Sequence, residues 1–158
     1  MAPALLGEST MHLHSVSEFM TPAPLTIAAE RTLADAHQLM RQARIRHLPV
    51  FARGRLVGIV SRSDLHLIET LKDVDPREVT VGEAMSKDPY TAASSARLAT
   101  VAQTMASRRI GATVITRAGR PVGVFTTVDA LRALASLTGP RPKGFRSGGR
   151  RRGPPART

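Results

Sequence analysis

The sequence contains no cysteine and no tryptophan. Without cysteine there is no disulfide staple, no thiolate metal site and no cysteine nucleophile, and the chain suits a reducing compartment. Also missing are a basic, then apolar signal-peptide opening and any apolar run near the roughly 18 residues that span a bilayer. The expectation is a cytoplasmic protein with no membrane span.

Catalytic signatures are missing as well. No Gly-rich phosphate loop with its Lys and Ser/Thr occurs, and no serine stands in a nucleophile elbow. The histidines are scattered; His12 and His14 are close, but an i, i+2 pair without further ligands is poor metal geometry. His37 and His66 fall on predicted helices as surface residues, and Asp73 and Asp75 lie in the linker-like stretch KDVDPREVT. The expectation is a protein that is not an enzyme and holds no metal.

The formal charge is +11, yet Arg141, Lys143, Arg146, Arg150, Arg151, Arg152 and Arg157 supply seven of those positives. The body is therefore only mildly basic, and the high pI describes a tail. Residues 139–158 carry Phe145 as their only large apolar side chain amid Gly, Pro and Arg, which predicts disorder. That tail is either a solubilising end or a charge-driven contact with nucleic acid or acidic lipid. Residues 1–14 read as a flexible leader whose Leu5, Leu6, Met11 and Leu13 could dock against the body.

What is present is a duplication. Met20 recurs as Met85, Pro24 as Pro89, Ile45 as Ile110, Gly58 as Gly123 and Asp64 as Asp129, always 65 residues on and without insertion. Each copy opens with a short apolar stretch, PLTIA or PYTAA. Helically spaced apolar residues follow: Leu33, Ala36, Met40 and Leu98, Val101, Met105. HLPVFARGRLVGIVS and ATVITRAGRPVGVFT then read as a strand, a Gly-containing turn and a second strand. A second helix starts at Ser61 or Thr126 and runs through Leu65 to Leu71, or Ala130 to Leu137. The unit is βαββα, over residues 15–72 and 80–138 with a linker at 73–79. One unit cannot bury its sheet alone, so the two are expected to pack face to face as one α/β (α+β) body.

The sharpest local pattern is Gly-x-x-Ser/Thr-x-x-Asp where the second strand meets the second helix: GIVSRSD and GVFTTVD. Ser or Thr followed three residues later by an acid is a capping box, which satisfies free donors at a helix start. The same arrangement suits a nucleotide: a helix N-terminus offers N–H groups to phosphate, an Asp carboxylate accepts from a ribose diol, and Gly lets a ligand approach the backbone. Both readings stand on the residues alone.

Duplicated units with MTPAPLTI, RHLPVF and GIVSRSD resemble the CBS family, the pair forming what is called a Bateman module, over roughly residues 15–137. The resemblance implies a pseudo-twofold pair with two clefts built crosswise, each holding an adenosine-containing ligand: AMP, ADP, ATP or S-adenosylmethionine. It implies a regulatory module with no required cofactor, acting on a client protein and associating as a homodimer through its second helices. Leu65, Leu67, Ile68, Leu71, Leu131, Leu134 and Leu137 are the candidate stripes for that association.

Carried over by residue, one cleft joins the ribose-binding pair Thr126 and Asp129 to Pro24, Leu25, Thr26 and Ile27, whose backbone reads the adenine. The other joins Ser61 and Asp64 to Tyr90, Thr91 and Ala92. Arg46, His47 and Arg109 are placed for phosphate, a task that suits guanidinium forks; Arg44 and Arg108 are either companions in it or solvated helix ends. Repeat 2 reads ATVI where repeat 1 reads HLPV, so identical ligands in both clefts are not implied. The alternative from another class is a dimeric scaffold that reaches nucleic acid through the basic tail.

Overall fold

A computed structural model of the chain describes residues 14–139. The expected loose leader and disordered tail, with the nucleic-acid contact assigned to that tail, lie outside the described residues apart from His14 and Gly139. Among the described residues no helix is long and apolar enough to cross a membrane.

The first repeat runs from a 3-10 turn at Val16–Glu18 through β1 (Thr21–Pro22), β2 (Ile27–Ala28), α1 (Leu33–Ala43), β3 (His47–Ala52) and β4 (Arg55–Ser61) to α2 (Arg62–Glu69). The second follows with α3 (Val81–Ala84), β5 (Ser86–Lys87), β6 (Thr91–Ala93), α4 (Leu98–Arg108), β7 (Ala112–Arg117), β8 (Arg120–Thr126) and α5 (Thr127–Thr138). The local reasons match the residues. Leu33, Ala36 and Met40 are fully buried on one face of α1, and Leu98, Val101 and Met105 are buried on the matching face of α4. The β3–β4 hairpin turns at Arg53 and Gly54, both at positive φ, and β7–β8 at Ala118 and Gly119 likewise. Two successive residues at positive φ mark the tight hairpin turn that matches strand twist.

The two sheets have the orders β1-β8-β7-β6 and β2-β3-β4-β5. Each repeat therefore lends its opening strand to the other: β1 pairs antiparallel with β8, Pro22 opposite Gly123, and β5 with β4, Lys87 opposite Gly58. The cores are exchanged too. Val16 of the first repeat packs into the core of Leu98, Ile115 and Phe125, while Val81 of the second joins Leu33, Leu48 and Leu65. Both valines are fully buried, and burial of that kind stabilises by about 1.5–3 kcal/mol per side chain. The βαββα reading lacked these two-residue strands, and they lock the halves together as a pseudo-twofold pair.

Gly58 and Gly123 have a role different from ligand approach. A Cβ on Gly58 would overlap the Met85 thioether and lie 2.9 Å from the Ser86 carbonyl; one on Gly123 would meet Met20 and lie 3.0 Å from the Thr21 carbonyl. The space is taken by the exchanged strand of the other repeat, so the glycines are sockets for protein.

The second helices differ in length. α5 reaches Thr138, but α2 ends at Glu69, eleven residues of chain short of α3, and Leu71 lies beyond it. The Thr70 hydroxyl donates to the Leu67 carbonyl at 2.7 Å there, and Asp73 follows at φ 63°. Of the proposed stripe, Leu65 is buried and Ile68 and Leu137 pack against the cores. Leu67, Leu71, Leu131 and Leu134 are exposed, with Val128 beside them.

Candidate functional site

At the start of α2 and of α5 the capping box forms as the pattern requires. The Ser61 N–H and Oγ–H donate to Asp64 Oδ2 at 2.8 and 2.7 Å, and the Asp64 N–H donates back to Ser61 Oγ at 3.1 Å. Thr126 and Asp129 repeat the arrangement at 2.9, 2.8 and 3.3 Å. The cap engages only one oxygen of each carboxylate. Asp64 Oδ1 has no hydrogen-bond partner among the described residues, whereas Asp129 Oδ1 accepts from the Arg132 guanidinium at 3.5 Å. Capping and ligand binding are thus compatible: the cap fixes each carboxylate through one oxygen, leaving Asp64 Oδ1 without a partner among the described residues and Asp129 Oδ1 with the Arg132 guanidinium at 3.5 Å.

Each box opens onto a cavity whose opposite wall comes from the other repeat. A cavity of about 520 Å³ is lined by Thr126 and Asp129 together with Ala23, Pro24 and Leu25, and by Arg44, Arg46 and His47. A second, of about 510 Å³, is lined by Ser61 and Asp64 with Asp88, Pro89 and Tyr90, and by Arg46, His47 and Arg109. The crosswise construction follows from the strand exchange, because the chain leaving β1 or β5 runs directly along the partner repeat's helix start. Volumes of this size match small-molecule sites.

Of the candidates singled out in the sequence, Pro24, Leu25, Tyr90, Ser61, Asp64, Thr126, Asp129, Arg46, His47 and Arg109 stand on these walls. Thr26, Ile27, Thr91 and Ala92 do not. Ile27 and Ala92 are buried in the two cores; Thr91 is exposed on the other side of β6, since neighbouring strand residues face opposite ways, and Thr26 is exposed just before β2 begins. Arg108 lies over the Tyr90 ring, 5.3 Å from its centroid, and holds the ring from outside the cavity. Lining residues without a local sequence signal are Arg132 and Val128 in the first cavity and Arg62, Lys87 and Asp88 in the second.

Backbone strain concentrates here. Ala23 and Asp88 have φ 49° and 50°, and Arg44 and Arg109, which end α1 and α4, have φ 55° and 54°. All four are non-glycine residues in the left-handed region, and all four line the cavities. Such a conformation costs on the order of 1 kcal/mol per residue and persists where surrounding structure imposes it. The left-handed turn at Arg44 and Arg109 swings the chain from helix to strand and sets the basic residues at the cavity mouth.

His47 stands between the two cavities, and its ionisation reflects that place. Burial holds its pKa below the ordinary 6.5, with the neighbouring Arg46 acting the same way, while Asp64 and Asp129 pull it up. The ring is thus kept neutral near pH 7, and Arg46 is the full charge of that pair.

The family model described as CBS domain matches the chain at residues 16–67 and again at 81–136. A CBS domain-containing protein of Dictyostelium discoideum is 41% identical over 70 residues, which are 42% of this chain and 48% of that protein. The CBS domain pair of protein MJ0100, solved in complex with 5'-methylthioadenosine and S-adenosyl-L-methionine, is similar with a TM-score of 0.70 at 23% identity, over 78% of this chain and 97% of that one. CBSX2, solved in complex with AMP, is similar with a TM-score of 0.69 at 23% identity, over 79% and 99%. At these identities the two solved structures speak for the fold. The chain spans about half or less of the length of several curated relatives that it matches.

Proposed function

Because the chain belongs to the CBS domain family, carrying two copies of the motif, we propose that it is a non-catalytic regulatory module that binds an adenosine-type nucleotide in the clefts between its repeats. The observation that carries this reading is the site itself, present twice. A capped Ser/Thr and Asp at a helix start face a cavity whose far wall carries arginine and a Pro-containing loop from the other repeat. The second carboxylate oxygen, without a partner on Asp64 among the described residues and held by Arg132 at 3.5 Å on Asp129, accepts a ribose hydroxyl, the helix N–H groups and arginines take phosphate, and the apolar wall of Pro24 and Leu25, or Pro89 and Tyr90, covers the base. AMP, ADP, ATP and S-adenosylmethionine all offer the required adenosine. Relatives of this fold solved with AMP and with S-adenosyl-L-methionine support that choice.

The output is carried by the second helices. Leu67, Leu131 and Leu134 are exposed on α2 and α5, the helices whose first turns hold Asp64 and Asp129. A ligand that binds a helix start shifts the balance of whatever docks on the same helix, a second copy of the chain or a client, by its differential affinity for the docked form. The Asp64→Ala/Asp129→Ala double variant tests the site. Calorimetric titration with the four nucleotides is expected to show binding by the natural chain that the variant loses. At a hundredfold excess over Kd a native-state ligand raises stability by about 2.7 kcal/mol. A thermal midpoint unmoved by all four at saturation would overturn the reading.

A further inference from the structure

The two clefts are alike in their helix starts but not in their basic residues. Arg44 belongs to the Thr126–Asp129 cleft alone and Arg109 to the Ser61–Asp64 cleft, in equivalent positions with equivalent backbone. Arg46 and His47 line both. Their counterparts 65 residues on are Gly111 and Ala112, which carry no polar side chain. One repeat thus supplies a shared basic pair to two sites, and the other has no counterpart to that pair, its Lys87 and Arg109 lining one cleft and its Arg132 the other.

Resting on the reading of both clefts as nucleoside sites, we infer that Arg46 and His47 couple them, so that each protomer holds one phosphate-bearing nucleotide tightly and a second at least roughly tenfold more weakly. A guanidinium clamps one phosphate with its two-donor fork. Once Arg46 is committed, a second dianion is left only the cations of its own cleft, Arg62, Lys87 and Arg109 in one and Arg44 and Arg132 in the other, and meets the charge of the first phosphate beyond the shared pair. His47 does not make up the difference, being held neutral by burial. Ligands without phosphate have no claim on Arg46 and escape this coupling. The pair therefore acts as a selector of ligand charge: a nucleotide in one cleft, a neutral or cationic adenosine derivative in the other.

Gly111 allows a direct test. A Cβ there would meet only His47 Nε2 and Thr127 Oγ1, each at 4.0 Å, so a Cβ is accommodated at this exposed position. Adenosine and AMP are titrated separately into the full chain, and the ratio of the two site affinities is compared between them. The ratio is expected to be larger for AMP by roughly tenfold. Gly111→Arg supplies the missing second guanidinium and should bring the AMP ratio back to that of adenosine; Arg46→Met should do so from the other side, by weakening the first AMP. Equal ratios for AMP and adenosine in the natural chain would overturn the coupling while leaving the nucleoside sites standing. A single site for adenosine as well would also overturn it, since the second cleft would then fail without any phosphate. No binding of either compound would remove the underlying reading and this one with it.

Discussion

Replacing Gly58 by alanine places one methyl group where the exchanged strand enters its socket. The added carbon would overlap the Met85 thioether and stand 2.9 Å from the Ser86 carbonyl oxygen. The thioether can swing aside, being the end of a flexible side chain, but the carbonyl belongs to β5, which is held to β4 only through Gly58–Lys87 and Ile59–Ser86. Relief thus requires the two-residue strand to move. Overpacking of this kind costs about 1–3 kcal/mol, and for a domain of this size each kcal/mol lowers Tm by roughly 2–4 °C. The assay is thermal unfolding of Gly58→Ala, Met85→Ala and the double variant. The double variant is expected to be more stable than the sum of the singles by about 1 kcal/mol, because removal of the thioether relieves part of the clash. Gly54→Ala is the control: nothing lies within 4 Å of its Cβ and its cost arises from φ +74° alone, so its effect should add to that of Met85→Ala. Because Asp88, Pro89 and Tyr90 follow β5 into the Ser61–Asp64 cleft, nucleotide affinity there should fall with stability. A Gly58→Ala protein that melts within about 1 °C of the natural one, or strict additivity with Met85→Ala, would refute the socket.

His47 predicts a pH dependence. Its folded pKa lies below the ordinary 6.5 through burial first, so below that value the unfolded chain binds the proton more readily than the folded one. Its contribution to stability is therefore complete above pH 6.5 and is lost as pH falls through the folded value. Melting curves at about pH 7.5 and about pH 5.5 should show a larger acid loss for the natural chain than for His47→Gln; parallel losses would remove the histidine from the account. The leucines of the second helices predict self-association. Leu67 and Leu131 are 65% and 61% exposed, so Leu67→Glu/Leu131→Glu should leave the fold intact and give monomers by sedimentation. An unchanged association state would assign the contact to another surface.

Much of the local architecture was legible in the sequence, because its signals are short-range. The 65-residue repeat, the apolar face of Leu33, Ala36 and Met40, the Gly54 and Gly119 turns and the two capping boxes each depend on residues a few positions apart, whose spacing follows from helix and strand geometry. The helix end at Glu69 was less legible, since Leu71 keeps the apolar spacing and only the Thr70 cap and the turn at Asp73 stop the helix. Thr21–Pro22 and Ser86–Lys87 had no signal at all: two residues carry no period, and their strand character comes from partners about a hundred and about thirty residues away in the chain.

The same division runs through the candidate site. Ser61, Asp64, Thr126 and Asp129 could be named from their motif, because a helix start writes its own pattern. That Ile27 and Ala92 turn into the cores was decided by the pairing of β2 with β3 and of β6 with β7, which sets the facing of each strand residue, while Pro24, Leu25 and Tyr90 line the cavities from the loops that precede those strands. That Gly58 and Gly123 admit a methionine, that Lys87 and Arg132 reach the cavities, and that Arg46 and His47 serve both, depend on which repeat's strand lies against which repeat's helix. The sequence by itself determined the units and their caps; the exchange of strands between units, a long-range pairing that no local spacing encodes, decided what the clefts contain.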